Sequence, residues 1–140
     1  MKEGVMVSDP VVETIDAEAV AIDPVALVRE TRKLAEQNPD FVYTKIFDDE
    51  WDGYKCRYVE AGCGSCLVGQ AAINAGVPLR VVASWDLLGD TGIEHVMSRY
   101  GFADHPATAW LIGVQVDQDG GATWAGAVHD ADRNVGEVGA

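Results

Sequence analysis

The stretch Cys63–Pro78 (C-G-S-C-L-V-G-Q-A-A-I-N-A-G-V-P) constrains the fold more than any other part of the chain. Ser65 is predicted to cap the start of a helix, because its side-chain oxygen can accept from a free backbone amide. Gly76 and Pro78 predict the end of that helix, where a glycine and then a proline commonly follow the last turn. Apolar residues recur between these signals at helical spacing: Leu67, Val68, Ala71, Ala72 and Ala75. Their small side chains let other elements pack closely, so we predict a central buried helix.

Two segments before this helix predict a β-hairpin. Phe41–Phe47 is rich in aromatic and β-branched residues, and Tyr54–Val59 alternates larger apolar with polar side chains. Asp48–Gly53 is predicted to be the turn between them. Because a two-stranded hairpin is marginal alone, it needs a helix to cover it. We therefore predict that the hairpin packs on the central helix.

The remaining helix signals favour an α+β domain that is mostly helical. Asp23-Pro24 is a typical helix opening, and Asn38-Pro39 is a typical end. Four further helices are predicted. The first is Leu79–Leu88, where a helix suits the spacing slightly better than a strand, and the second is Thr91–Tyr100, opened by a capping box at Thr91 and Glu94 and closed by Gly101. The third is opened by Asp104 and Pro106 and stopped by Gly120-Gly121, and the fourth is a short helix capped by Thr123. The predicted organisation is a flexible acidic N-terminal arm (residues 1–22), a single globular domain (residues 23–133) and a flexible C-terminal tail (residues 134–140).

The charge of the chain limits its partners. Ten basic residues stand against 23 acidic ones, and the formal net charge is −13. Such a chain is repelled by phosphate backbones and by anionic membranes, so we expect neither nucleic acid nor membrane as a partner. No basic region followed by an apolar core opens the chain, and no apolar run approaches a membrane span. With only three cysteines, an odd number, we predict a protein of the reducing cytoplasm.

The cysteines leave three interpretations open. Cys63-Gly-Ser-Cys66 is a C-x-x-C pair at a helix start, where backbone amides lower a thiol pKa and suit redox chemistry. Cys56 adds a third sulfur, and one of the three histidines would complete a tetrahedral zinc site. In the structural interpretation, which we favour, Cys66 is a small core residue and Cys56 lines the buried face of its strand. The histidine candidates for zinc are His95, His105 and His129.

The predicted hairpin turn is the candidate partner-binding surface. Its sequence, D-D-E-W-D-G, resembles the opening of a calcium loop, but the twelfth position is Val59 where that loop needs glutamate. Acidic groups around one exposed tryptophan are typical of a protein-contact point. The alternative is that the tryptophan folds back on the core. The predicted partner-binding residues are Asp48, Asp49, Glu50, Trp51 and Asp52.

A wider pattern resembles a group of proteins. It consists of Arg57–Glu60, Ser65–Gly69 with Ala72 and Gly76–Pro78, Val114-Gln115 through Gln118-Asp119, and Thr123–Val128 (T-W-A-G-A-V). The chain is similar in this pattern to small uncharacterised proteins of actinobacteria and their phages. The resemblance implies no activity or cofactor. It implies that S-C-L-V-G is a packing feature and, for a phage source, that the protein binds and redirects a host protein.

These observations favour a non-enzymatic function. No nucleophile motif or phosphate-binding glycine loop is present in the sequence, and we predict no catalytic residues and no cofactor. The leading hypothesis is an acidic cytoplasmic interaction or regulatory protein, encoded by a phage, that binds a host or partner protein. One alternative is a small zinc-binding or dithiol redox protein using Cys56, Cys63 and Cys66. A second is a DNA mimic whose carboxylates imitate phosphates.

Overall fold

The computed structural model describes residues 21–44, 46–48, 53–55, 57–60, 62–87 and 92–139. Within this part of the chain there are six helices and four short strands. The helices are α1 (Pro24–Gln37), α2 (Leu67–Asn74), α3 (Leu79–Trp85), α4 (Ile93–Arg99), α5 (Pro106–Asp119) and α6 (Trp124–Val135). The strands are β1 (Ile46–Asp48), β2 (Gly53–Lys55), β3 (Val59–Glu60) and β4 (Cys63–Gly64). The predicted class, mostly helical α+β, is confirmed.

Helices α1 and α6 begin where their local signals predict. The Asp23 carboxylate accepts from the amides of Val25 and Ala26 at 3.0 and 3.2 Å, and Pro24 occupies the first turn of α1. The Thr123 hydroxyl accepts from the Gly126 amide at 3.0 Å and caps α6. Each cap satisfies backbone donors that have no partner inside the helix, so each fixes its helix start.

Helix α2 is central, as predicted. It contacts α1, α3, α5 and β4, and its buried residues are Leu67, Val68, Gly69, Ala71 and Ala72. The helix ends at Asn74, and Gly76 follows with a φ of 101°, a conformation that glycine adopts without steric cost. Together with α1 and α5, α2 holds much of the apolar core.

The predicted cap of α2 is wrong. The N-cap residue is Cys66, whose Sγ accepts from the Gly69 amide at 3.4 Å. Ser65 lies one position earlier, and its Oγ is 2.7 Å from the Tyr43 hydroxyl. The hydrogen bond between Ser65 and Tyr43 therefore links the segment after α1 to the start of α2.

Two buried glutamines of α5 bind the first amides of two other helices. Gln118 Oε1 accepts from the Leu67 amide of α2 at 2.8 Å, and Gln115 Oε1 accepts from the Ile93 amide of α4 at 2.7 Å. Gln115 also donates to the Tyr58 hydroxyl at 3.0 Å. At α2 and α4, therefore, glutamines that are distant in sequence bind free amides of the first turn, whereas at α1 and α6 a neighbouring residue does so.

One further predicted cap is corrected by the structure, and one stays a prediction. The N-cap of α4 is Gly92, whereas the capping box predicted from Thr91 and Glu94 involves Thr91, which lies outside the described residues. The N-cap of α5 is His105 in place of Asp104, and its Nδ1 accepts from the Ala107 amide at 3.0 Å. The helices themselves, and α3, are found where predicted.

The predicted hairpin exists but is shorter than expected. Strands β1 and β2 pair antiparallel, with Ile46 opposite Lys55 and Asp48 opposite Gly53. The second predicted strand does not continue to Val59, because residues 57 and 58 pair instead with the segment before α2. The Ser65 amide donates to the Tyr58 carbonyl at 2.9 Å, and the Cys66 amide donates to the Arg57 carbonyl at 3.0 Å.

A second antiparallel ribbon, which the sequence did not predict, lies against α2. Val59 pairs with Gly64 and Glu60 with Cys63, and Gly62 between them has a φ of 78°. Strand β4 contacts α2, and β3 contacts α3. This ribbon therefore occupies the place on the central helix that we predicted for the hairpin.

The C-terminal segment remains ordered past residue 133, where we predicted the globular domain to end. Helix α6 continues to Val135, and the chain then returns to α1. Arg32 of α1 donates from Nε and Nη2 to the Val138 carbonyl at 3.0 and 2.7 Å, and the Val138 side chain packs against the core. At the other end of the chain, residues 1–20 of the predicted arm lie outside the described residues.

None of the helices that the structure describes combines the length and the apolar character that crossing a membrane requires.

Candidate functional site

The structure locates the predicted partner-binding turn only at its first residue. Asp48 ends β1 and pairs with Gly53 of β2. Asp49, Glu50, Trp51 and Asp52 lie outside the described residues. They connect β1 to β2 in the sequence, and their contact role stays a prediction.

The two described cysteines have very different surroundings. Cys63 in β4 is exposed, whereas Cys66 is buried at the start of α2. Burial raises the pKa of the Cys66 thiol to about 12, and this effect outweighs the hydrogen bond from the Gly69 amide. The predicted lowering of a thiol pKa at the helix start is therefore wrong for Cys66, because desolvation disfavours the thiolate. Cys56 lies outside the described residues.

The three histidines do not converge with these cysteines. His95 is exposed on α4, His105 caps α5 through Nδ1, and His129 is exposed on α6. In the described ranges, no three histidine, cysteine, aspartate or glutamate residues are placed to share a metal ion.

The surroundings of the cysteines predict selective thiol labelling. We expect Cys63 in the native protein to react with iodoacetamide and Cys66 to react only after unfolding, because Cys66 is buried and its thiol is neutral at pH 7. Peptide mapping by mass spectrometry before and after denaturation assigns each label to its cysteine. Native labelling of Cys66 at a rate similar to that of Cys63 would contradict the buried position.

A concave surface lies between α1 and α6. We call it the α1–α6 groove, and its volume is about 370 Å³. It is lined by Arg32, Ala35 and Glu36 of α1, by Pro39 two residues after α1, and by Ala125, Val128, His129 and Asp132 of α6.

One end of the α1–α6 groove is closed by a polar network. Arg32 binds both carboxylate oxygens of Asp132, with an Nη1–Oδ2 distance of 2.8 Å, and its guanidinium carbon lies 4.9 Å from the centroid of the Trp110 ring. Trp110 Nε1 donates to Asp132 Oδ1 at 2.8 Å. The hydrogen bonds from Arg32 are the main reason why the pKa of Asp132 is lowered, although burial opposes the shift. The charges at this end are thus already paired.

The other end of the groove is apolar and partly exposed. The Ala125 amide donates to the Pro39 carbonyl at 3.1 Å, and the Trp124 amide donates to the Phe41 carbonyl at 2.9 Å. The Phe41 ring lies 4.6 Å from the Trp124 ring, yet 47% of Phe41 remains exposed. Its neighbour Val42 is 46% exposed and bridges to Thr123. We call Phe41 and Val42 the apolar shelf; it precedes β1 in the chain.

The arrangement of residues in the α1–α6 groove favours the binding of apolar side chains over catalysis. The charged pair in the groove is engaged in structural hydrogen bonds, and the floor consists of small or apolar groups such as Ala35 and Val128. The groove was not predicted from the sequence, because its lining mixes charged residues such as Arg32 and Glu36 with apolar ones. The available signal was the spacing of the lining residues, which repeats on both helices.

Comparison of the chain with protein-family models, with curated proteins and with solved structures yielded no match.

Proposed function

We propose that this chain is a non-enzymatic acidic interaction protein that binds a partner protein through the α1–α6 groove and the apolar shelf. The observation that carries the proposal is the half-exposed Phe41–Val42 pair, which follows the groove-lining Pro39 closely in the chain. Exposed apolar side chains beside a concave surface are typical of protein contacts, where an aromatic anchor is surrounded by a polar rim. Glu36 and His129 supply polar groups along the groove walls.

The charge of the chain supports a basic partner. With a net charge of −13, the protein attracts cationic surfaces and accelerates their association at low ionic strength. The acidic residues Asp48–Asp52, which the sequence predicts to bind a partner, follow the apolar shelf along the chain. A cytoplasmic location and a phage-encoded role in redirecting a host protein remain parts of the proposal that rest on the sequence alone.

The alternative functions receive less support. A dithiol site requires a thiol that ionises readily, and the raised pKa of Cys66 opposes this. A DNA mimic requires a continuous row of carboxylates. Among the described residues, acidic side chains are interspersed with cations, as in the exposed pairs Glu30–Lys33 and Asp130–Arg133.

Site-specific crosslinking tests the proposed surface. A photoreactive benzoyl-phenylalanine is placed at position 41 and, in a separate variant, at Leu87, which is 85% exposed at the end of α3. After irradiation in cells of the source organism, we expect a discrete crosslinked protein from position 41 and none from position 87. Because a charge-driven contact is screened by salt, the yield in lysate should fall as salt is raised.

A matched pair of substitutions controls this experiment. Ala125→Lys adds bulk and positive charge to the groove, whereas Ala109→Lys makes the same change at an exposed alanine in the first turn of α5. We expect Ala125→Lys to abolish the crosslink and Ala109→Lys to preserve it. Equal crosslinking from positions 41 and 87, or survival of the crosslink in Ala125→Lys, would refute the proposed surface.

A further inference from the structure

The lining of the α1–α6 groove has the spacing of two matched helix faces. On α1 the lining positions are 32, 35 and 36, and Pro39 joins them two residues after the helix ends; on α6 they are 125, 128, 129 and 132. The α6 set follows the i, i+3, i+4, i+7 pattern of one helix face, and the α1 set follows the first three positions of that pattern. Because Arg32 contacts Asp132 and Pro39 contacts Ala125, the two faces run antiparallel. The groove is thus a regular trough about 10 Å long, or two helical turns.

The shape and chemistry of this trough suit a third helix. Ala35 and Ala125 contribute only methyl groups, so they leave room for side chains from an occupant between the two walls. Arg32 already donates to Asp132 and to the Val138 carbonyl, so its guanidinium is engaged and is not offered to an anionic ligand. Apolar side chains at i, i+3 or i+4 spacing on an occupying helix would contact the small or apolar groups of the floor.

The charges near the trough determine the kind of helix. Glu36 on the wall and Asp40 just beyond its end are exposed, and neither forms an ion pair within the described part of the chain. A second copy of this chain, or its own acidic N-terminal segment, would bring further negative charge to these carboxylates. A basic partner would instead neutralise them.

We infer that the α1–α6 groove binds a basic amphipathic helix of a partner protein. Its apolar residues lie along Ala35, Val128 and Ala125, and its lysines or arginines face Glu36 and Asp40. The apolar shelf extends the contact at the open end through Phe41. This inference rests on the proposed function and specifies the element of the partner that is bound.

Synthetic peptides test the inference directly. The probe is a peptide of about 14 residues, four helical turns, with leucines on one face and lysines on the other. A first control has the same composition in an order that places the leucines on no single face, and a second replaces every lysine with glutamate. Binding is measured by titration and is located by amide chemical-shift changes in the isotopically labelled full chain.

We expect the amphipathic basic peptide to bind about tenfold or more tightly than the scrambled one. Its shift changes should centre on Ala35, Ala125 and Val128, and the acidic peptide should not bind. Glu36→Lys should weaken binding several-fold, whereas Glu94→Lys, the same change at an exposed acid on α4, should not. Equal affinity for the scrambled peptide, equal effects of the two substitutions, or shift changes centred elsewhere would overturn the inference.

The crosslinking experiment separates this inference from the proposed function. Sequencing of the crosslinked partner peptide identifies the element that contacts position 41. A crosslink to an extended or acidic segment would overturn the helix inference and leave the proposed function standing. Absence of a specific crosslink would remove the proposed function, and peptide binding alone would not restore it.

Discussion

Replacement of Gly69 by alanine is expected to destabilise the domain by about 3 kcal/mol. A Cβ atom at this position of α2 would lie 2.2 Å from the Tyr58 carbonyl oxygen and 2.8 Å from its carbonyl carbon. The Tyr58 backbone cannot retreat without breaking other bonds, because the Asp86 carboxylate accepts from the amides of Tyr58 and Val59 at 2.9 and 3.1 Å. The clash thus exceeds the helix-propensity gain of alanine over glycine, about 1 kcal/mol.

Gly113 provides the matched control for this substitution. It lies inside α5, and a Cβ there would be 3.7 Å from the Ala131 Cβ, an ordinary contact distance. Gly113→Ala is therefore expected to stabilise the domain by about 0.5–1 kcal/mol. Urea unfolding followed by circular dichroism measures both changes. The close approach of the Tyr58 backbone to α2 would be disproved by two variants that shift the unfolding midpoint in the same direction.

Replacement of Asp132 by alanine is expected to reduce the free energy of unfolding by about 2–3 kcal/mol. The carboxylate accepts from Arg32 and from Trp110 Nε1, and its loss leaves a buried indole donor and a largely covered guanidinium without this partner. The control is Lys33→Ala, one position along α1 from Arg32. Lys33 makes an exposed pair with Glu30 at 3.3 Å, and such pairs contribute about 0.5 kcal/mol or less.

The contribution of Asp132 should depend on pH in a defined direction. The pKa of Asp132 is lowered in the folded protein, whereas the pKa of an aspartate in the unfolded chain is about 3.9. The stabilisation is therefore fully present above this ordinary value and is lost as the pH falls through the lower folded pKa. The difference in unfolding free energy between wild type and Asp132→Ala should be constant from about pH 5 to pH 8 and should shrink below about pH 4. A difference that grows on acidification would contradict the direction of the shift.

The helices were predictable because most of their boundaries depend on local chemistry. Asp23 and Thr123 satisfy amides two or three residues away, and Gly76 adopts a conformation that few other residues tolerate. Such signals act within one turn, so the sequence shows them without knowledge of the tertiary structure.

The errors fall where a tertiary contact replaces a local one. Ser65 has the right chemistry for a cap, but its hydroxyl engages Tyr43, while the first amide of α2 is bound by Gln118. Cys66 is a second case in which the tertiary structure decides. Its position at a helix start predicts a low thiol pKa, but its burial raises that pKa. Burial depends on the packing of distant elements, which no spacing within the C-x-x-C motif reveals.

The candidate site was the least predictable part. The groove depends on how α1 and α6 lie against each other, and its lining mixes apolar with charged residues, so neither helix shows a distinct apolar stripe there. The exposure of Phe41 was also hidden, because an aromatic residue beside β-branched neighbours is equally typical of a buried strand.

The two capping glutamines of α5 have a consequence for how the domain folds. Gln118 is 51 residues from the Leu67 amide that it binds, and Gln115 is 22 residues from the Ile93 amide. Helices α2 and α4 can therefore gain these end contacts only when α5 has docked beside them. Because an N-terminal fragment that ends before α5 lacks the Gln118 side chain that binds the start of α2, we expect the domain to fold and unfold in one cooperative step, with no stable N-terminal fragment.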